Sequence, residues 1–170
     1  MFTMDVENPV SEPMIREARV DDAPALAALS RHVQAIHLAE RPEYFAESSD
    51  DELSEWFHRR LGEADFRAWL AEVNGYSAGY VALVIRERSG TPFSRPRTFG
   101  EVDQIGVVPE FRGRGVGRAL LGRVVNEARR IGIEQIELNA WAFNREAQDF
   151  FQRSGFTAMT VRFTRRSAES

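Results

Sequence analysis

The sequence predicts an α/β or α+β domain: a mixed sheet with helices on both faces. Three observations carry that reading. Two extended runs, Phe66–Val73 and Tyr76–Arg86, are rich in aromatic and β-branched residues and flank Asn74-Gly75, a dipeptide suited to a tight hairpin turn. A third extended run, Thr98–Val108, leads into a glycine-rich turn. The helix beyond that turn repeats Val116, Leu120, Val124, Ala128 and Ile131 at helical spacing, and a further apolar run near Gln135–Ala140 follows it. Strand, helix and strand in that order imply a parallel crossover beside an antiparallel hairpin, with central strands linked by right-handed crossovers.

The remaining elements fall into place around this centre. Residues 1–13, with Pro9 and Pro13 among polar residues, read as a mobile tail. Ile15–Val20 is a short strand candidate. Asp21-Asp22-Ala23-Pro24 marks a helix start, with an aspartate to cap and proline in the first turn, and the Ala/Leu-rich run continues to about Ala39. Arg41-Pro42-Glu43 interrupts it. Ser48-Ser49-Asp50-Asp51-Glu52 starts a second helix that sets Leu53, Trp56, Phe57 and Leu61 on one face and ends at Gly62. Ser89–Pro96 reads as a loop, Gly132 ends the helix after the glycine-rich turn, Arg145–Ser154 is helical and Phe156–Thr164 is a last strand. The expected organisation is one domain over 14–166, with a short tail at 167–170.

Composition narrows the chemistry. A chain of 170 residues with 43% hydrophobic content suffices for one compact core. Without cysteine there is no disulfide, thiolate metal site or cysteine acyl-enzyme. All 22 basic residues are arginine, so a lysine Schiff base is excluded as well. No apolar run reaches membrane-spanning length, and Met1–Pro13 lacks a signal-peptide pattern, which gives the expectation of a soluble, cytoplasmic protein without membrane partners. The net charge of −4 argues against nucleic acid as a partner. His32, His37 and His58 have no metal-ligand spacing, so no metal is expected.

The run Arg112-Gly113-Arg114-Gly115-Val116-Gly117, followed by Arg118, carries the functional information. A strand, a glycine-rich turn and a helix start together leave backbone N–H groups free beside the positive end of a helix dipole. Glycines let that backbone bend and approach a ligand closely, and the arginines add charge. The spacing Gly-x-Gly-x-Gly is not the dinucleotide fingerprint, and no Gly-Lys-Ser/Thr follows as in a P-loop. Downstream stand Asn144, Ala147, Phe151 and Gly155-Phe156. These two motifs resemble, in order and spacing, the signature of the GNAT superfamily of N-acetyltransferases, over about Phe99–Phe156.

That resemblance implies a twisted, mostly antiparallel sheet in which a central parallel strand pair splays apart to admit the pantetheine arm of acetyl-CoA. It implies that Arg112, Gly113, Arg114, Gly115, Val116, Gly117 and Arg118 bind the cofactor's diphosphate. Ile105 and Val107 would line the gap, with Ile105 N–H facing the thioester carbonyl and its oxyanion. Asn144 would orient the cofactor arm, and Phe151 stands where many relatives carry a tyrosine that protonates the departing sulfur. Phenylalanine has no proton to give. A thiol of pKa about 8.5 can nevertheless leave as its thiolate, and Phe151 is equally readable as a core aromatic.

Transfer to an amine needs a base. An alkyl amine of pKa near 10.4 is only about one part in a thousand neutral at pH 7, a handicap of roughly 4–5 kcal/mol. Glu101 and Asp103, two residues apart on the central strand, share one face if the strand is regular, and a bulge would separate them. Both are candidates, beside the plainer reading of two solvated carboxylates. Asn139 occupies a position where some relatives carry a glutamate base. The acidic stretch Asp50, Asp51, Glu52 and Glu55 either attracts a cationic amine or simply favours a helix N-terminus. The sequence thus predicts direct acetyl transfer from acetyl-CoA to a primary amine of a small molecule or peptide, with acceptor selection in residues 30–65 and 88–98. A homodimer is expected by family habit. The alternative is a coenzyme A-binding regulatory module with the same fold and little turnover.

Overall fold

The computed structural model describes residues 12–167, so most of the tail expected at 1–13 and the end of the chain lie outside the described residues. The chain falls into two compact units, one ending at Asn139 and the other beginning at Ala140. In the first, strands β1 (Met14–Glu17), β2 (Phe66–Val73), β3 (Tyr76–Arg88), β4 (Arg97–Val107) and β5 (Ile136–Leu138) form one sheet in sequence order. Strands β1 to β4 are antiparallel neighbours, and β5 runs parallel to β4. Helices α1 (Ala23–Glu40) and α2 (Asp50–Leu61) fall between β1 and β2, and α3 (Val116–Arg130) connects β4 to β5. The sheet has a single parallel link, β4–α3–β5, rather than several crossovers; the other strands follow as antiparallel neighbours.

Alternation along β2 and β3 divides the apolar residues between two faces. Phe66, Ala68 and Leu70 stand opposite Val84, Ala82 and Tyr80, and this set packs with Leu26, Ala27 and Leu29 of α1 and Phe57 of α2. The intervening Trp69 and Val81 are also fully buried, and Arg123 of α3 lies over the Trp69 ring at 5.0 Å. Helices thus cover both faces. The β2–β3 turn has Asn74 at φ 52° and Gly75 at φ 80°, the left-handed pair that a two-residue hairpin needs.

Local chemistry places the helices. At α2, Ser49 Oγ accepts from Glu52 N–H at 3.2 Å while Glu52 Oε2 accepts from Ser49 N–H at 2.7 Å, a reciprocal cap. Pro24 sits in the first turn of α1, but Asp22 makes no side-chain cap to that helix. Its carboxylate accepts from Arg19 N–H at 2.7 Å and from Arg16 instead, around a 3₁₀ turn at Val20–Asp22 that replaces the end of the strand expected over Ile15–Val20.

The second unit contains α4 (Arg145–Arg153), with Phe151 buried against Phe150 and Phe156 at ring separations of 5.3 and 6.0 Å. The strand expected over Phe156–Thr164 is not formed: no ladder among the described residues includes this segment, and Val161 and Phe163 are exposed. Alternating apolar residues favour an extended chain, but a strand also needs a neighbour to bond.

Candidate functional site

Beyond β4 the chain makes a 3₁₀ turn at Pro109–Phe111 before the glycines. Gly113 and Gly115 adopt φ 72° and 82°, a region that costs a residue with a side chain about 1–2 kcal/mol. Gly115 is the N-cap of α3, and the first helical bond runs from Ala119 N–H to Gly115 O at 3.0 Å. Helix geometry therefore leaves the N–H groups of Val116, Gly117 and Arg118 without intrahelical acceptors. Gly117 is an ordinary helical residue, so the sharp bend belongs to Gly113 and Gly115 alone. A Cβ built on either would meet no heavy atom within 4 Å, so the space over the turn is open. Arg112, Arg114 and Arg118 are exposed, whereas the Val116 side chain is buried, leaving only its backbone for a ligand.

Strands β4 and β5 pair over only three positions, Gly100–Val102 against Ile136–Leu138, and β4 runs five residues further, to Val107, without a β5 partner. Val108 N–H donates to Ala78 O at 3.0 Å, so alternation turns Gly106 towards β3 and points the N–H and C=O groups of Ile105 and Val107 to the unpaired side. Arg112 Nε approaches Val107 O at 3.3 Å there.

The register of β3 against β4 steps from Leu83–Val102 to Ala82–Gln104, which makes Asp103 the extra residue of a bulge. The regular alternation that would place Glu101 and Asp103 alike is therefore broken. Glu101 is half-buried; Arg86 Nε donates to its Oε2 at 2.5 Å and Asn139 Nδ2 to its Oε1 at 3.2 Å. Asp103 is exposed, and Gln104 Nε2 approaches its Oδ2 at 3.5 Å, a weak contact.

Next to the bulge is a cavity of about 320 Å³ between α1, α2 and β4, lined by Ser30, Gln34, Glu52, Trp56, Arg59 and Gln104 among others. The cap bonds from Ser49 hold the Glu52 carboxyl below its ordinary range, so it is ionised at neutral pH. Tyr80, fully buried, donates its hydroxyl to Gln104 Oε1 at 2.9 Å. Gln104 escapes a reading of the sequence because a lone glutamine in a strand has no spacing signature; the bulge gives it its place. Glu52 and Trp56 were legible as helix residues, but not as parts of one cavity.

In the second unit, Asn144 is the N-cap of α4, its Oδ1 accepting from Ala147 N–H at 3.1 Å. Phe151 is a core aromatic there. No group of three or more His, Asp or Glu residues suited to a metal occurs among the described residues, and no helix there is long and apolar enough to cross a membrane.

The model of the acetyltransferase (GNAT) family matches residues 32–156. The chain is 33% identical over 107 residues to an uncharacterized N-acetyltransferase, MJ1207, of Methanocaldococcus jannaschii, covering 62% of this chain and 46% of that one. It is 30% identical over 143 residues to the mycothiol acetyltransferase of Propionibacterium freudenreichii, covering 84% and 42%. The chain thus spans less than half the length of these two relatives. Among solved structures it shares its fold with the aminoglycoside N-acetyltransferase AAC(6')-Iy in complex with CoA, at a TM-score of 0.75 and 20% identity over 96% of this chain and 99% of that one. With the family match extending over most of the sequence, from α1 through the glycine-rich turn to α4, the chain belongs to the acetyltransferase (GNAT) family.

Proposed function

We propose that this protein is an acetyl-CoA-dependent N-acetyltransferase acting on a primary amine. The observation that carries the reading is the parting of β4 from β5 immediately before an open glycine-rich turn. The turn fits a diphosphate: it offers unbonded N–H groups, open space and three exposed arginines. Acetyl-CoA supplies an activated acyl group, and the chain's own residues do the rest. The backbones of Gly113 to Arg118 hold the diphosphate, with Arg112, Arg114 and Arg118 adding charge. Ile105 N–H lies on the unpaired edge and serves as the donor to the thioester oxygen. Val107 presents backbone groups to the same arm, and Phe151 has no proton to give.

Asp103 is the better of the two candidate bases. Glu101 is engaged by Arg86 through one oxygen and by Asn139 through the other, so both of its oxygens already have partners. Asp103 stands at the bulge, beside Gln104 in the cavity wall. The family match runs through both compact units, which supports reading 14–166 as one functional domain. The relative named for mycothiol acetylation supports a small-molecule amine as acceptor. The test is thiol release from acetyl-CoA across a panel of amines, with calorimetric titration of coenzyme A alongside. Binding with amine-dependent thiol release is the expected result; binding without release for every amine would replace the enzyme by a coenzyme A-binding module.

A further inference from the structure

The geometry points to Gln104 as a specificity-determining residue that selects amines carrying a hydrogen-bond-accepting oxygen on the neighbouring carbon. This rests on the acetyltransferase reading of the same site. Gln104 lines the cavity between α1, α2 and β4, and its orientation is fixed from behind. Tyr80 is completely buried and its one hydroxyl hydrogen goes to Gln104 Oε1 at 2.9 Å. On the other side is Asp103, whose carboxylate accepts and cannot donate, and which faces Gln104 Nε2 at 3.5 Å. A flipped amide would turn its oxygen towards that carboxylate. Both neighbours therefore impose one orientation, with oxygen to Tyr80 and NH₂ to the Asp103 side.

The charged and titratable groups around the amide reinforce it. Burial and the Asp103 charge push the Tyr80 phenol up, so it stays a donor across the working pH range. Glu52 and Arg59 lie further along the same cavity wall, where Glu52 Oε2 is taken up by Ser49. The NH₂ group thus has donor capacity that the long contact to Asp103 barely uses. A carboxylate and an amide donor from adjacent residues of one bulge form a two-point reader: Asp103 meets the ammonium, and Gln104 Nε2 meets an oxygen one carbon away. Amino alcohols and α-amino carbonyl compounds share that chemistry; plain alkylamines lack it and leave the amide donor without a substrate partner.

The test uses 2-phenylethylamine, its β-hydroxy counterpart 2-amino-1-phenylethanol, and phenylalaninamide. The wild type should favour each oxygen-bearing amine over 2-phenylethylamine by about tenfold or more in kcat/KM. Gln104→Leu should lower both ratios by about tenfold from their wild-type values, whatever part of them the amines' differing basicity supplies. Gln104→Glu keeps an acceptor for Tyr80 but has no donor, and should lower the ratios in the same way. Equal kcat/KM for all three amines in the wild type, or ratios unchanged by both substitutions, would overturn the proposal. Preference for the hydroxyl alone identifies an amino-alcohol reader, and for the amide alone an amino-carbonyl reader; either supports the shared chemistry. The same amines titrated into the coenzyme A complex separate the two levels of inference. Selective binding without turnover would refute the transferase reading and keep the Gln104 assignment, whereas turnover without selectivity would do the reverse.

Discussion

Arg86 Nε lies 2.5 Å from Glu101 Oε2, on the strand face where Val84 stands directly opposite Glu101. The pair ties Glu101 to a guanidinium, whose own pKa is raised mainly by the bond to Glu101. Glu101→Gln should therefore lower kcat/KM by less than about tenfold and leave the pH profile in place. Asp103→Asn should lower it by about 100-fold or more near pH 7, with recovery as pH approaches the amine's own pKa and free amine becomes abundant. Profiles of kcat/KM against pH for both variants check this, and a flat response to Asp103→Asn would move the base to a water chain or another residue.

The turn at Gly115 separates folding from binding. Gly115→Ala adds a methyl into open space at φ 82°, so it should cost about 1–2 kcal/mol of stability while coenzyme A still binds. Gly115→Asp places a side chain at the same backbone position and adds a negative charge where the diphosphate is to sit. Its coenzyme A affinity should fall by at least about 100-fold relative to Gly115→Ala. Denaturant unfolding measures the first quantity and calorimetry the second, and equal affinities in the two variants would remove the turn from cofactor binding.

The cap of α2 makes a third expectation. Ser49→Ala removes the acceptor of Glu52 N–H and should destabilise the protein by about 1 kcal/mol. The Glu52 carboxyl, held low chiefly by the Ser49 backbone N–H and secondarily by its hydroxyl, should rise only partly towards its ordinary value, because the backbone donor remains. Urea titration and carboxylate NMR titration measure the two effects.

Sequence patterns gave the hairpin at Asn74-Gly75, the α2 cap and the strand–turn–helix at Gly113–Gly117 because each is a local geometric requirement written in adjacent residues. The bulge at Asp103 has no such mark: it arises from matching β4 to β3 over ten paired positions, a long-range property. The choice between Glu101 and Asp103 depended on that bulge and on Arg86 and Asn139, neither adjacent in sequence. The segment 156–164 failed in the opposite direction, since its alternation was local and the ladder it required was not.

Glu127 gives the final expectation. It is almost wholly buried on α3, and three guanidinium groups reach its carboxylate: Arg130 at 2.6 Å, Arg67 of β2 at 3.1 Å and Arg123 at 3.2 Å. The bond from Arg130 is the main cause that holds its pKa down to about 2, against burial that pushes it up. The folded-state value is below the ordinary 4.5, so the native state favours the ionised form. The contribution to stability is then fully present above about pH 4.5 and is lost as pH falls towards 2. Glu127→Gln leaves three partly exposed arginines without their shared counter-charge and should cost about 2–3 kcal/mol at pH 7. The gap between wild type and variant should narrow progressively between pH 4.5 and 2, as the wild-type carboxyl itself becomes neutral. Parallel unfolding curves measured across that window decide the matter: a difference independent of pH would mean that Glu127 stabilises the α3–β2 contact through shape and packing rather than through its charge.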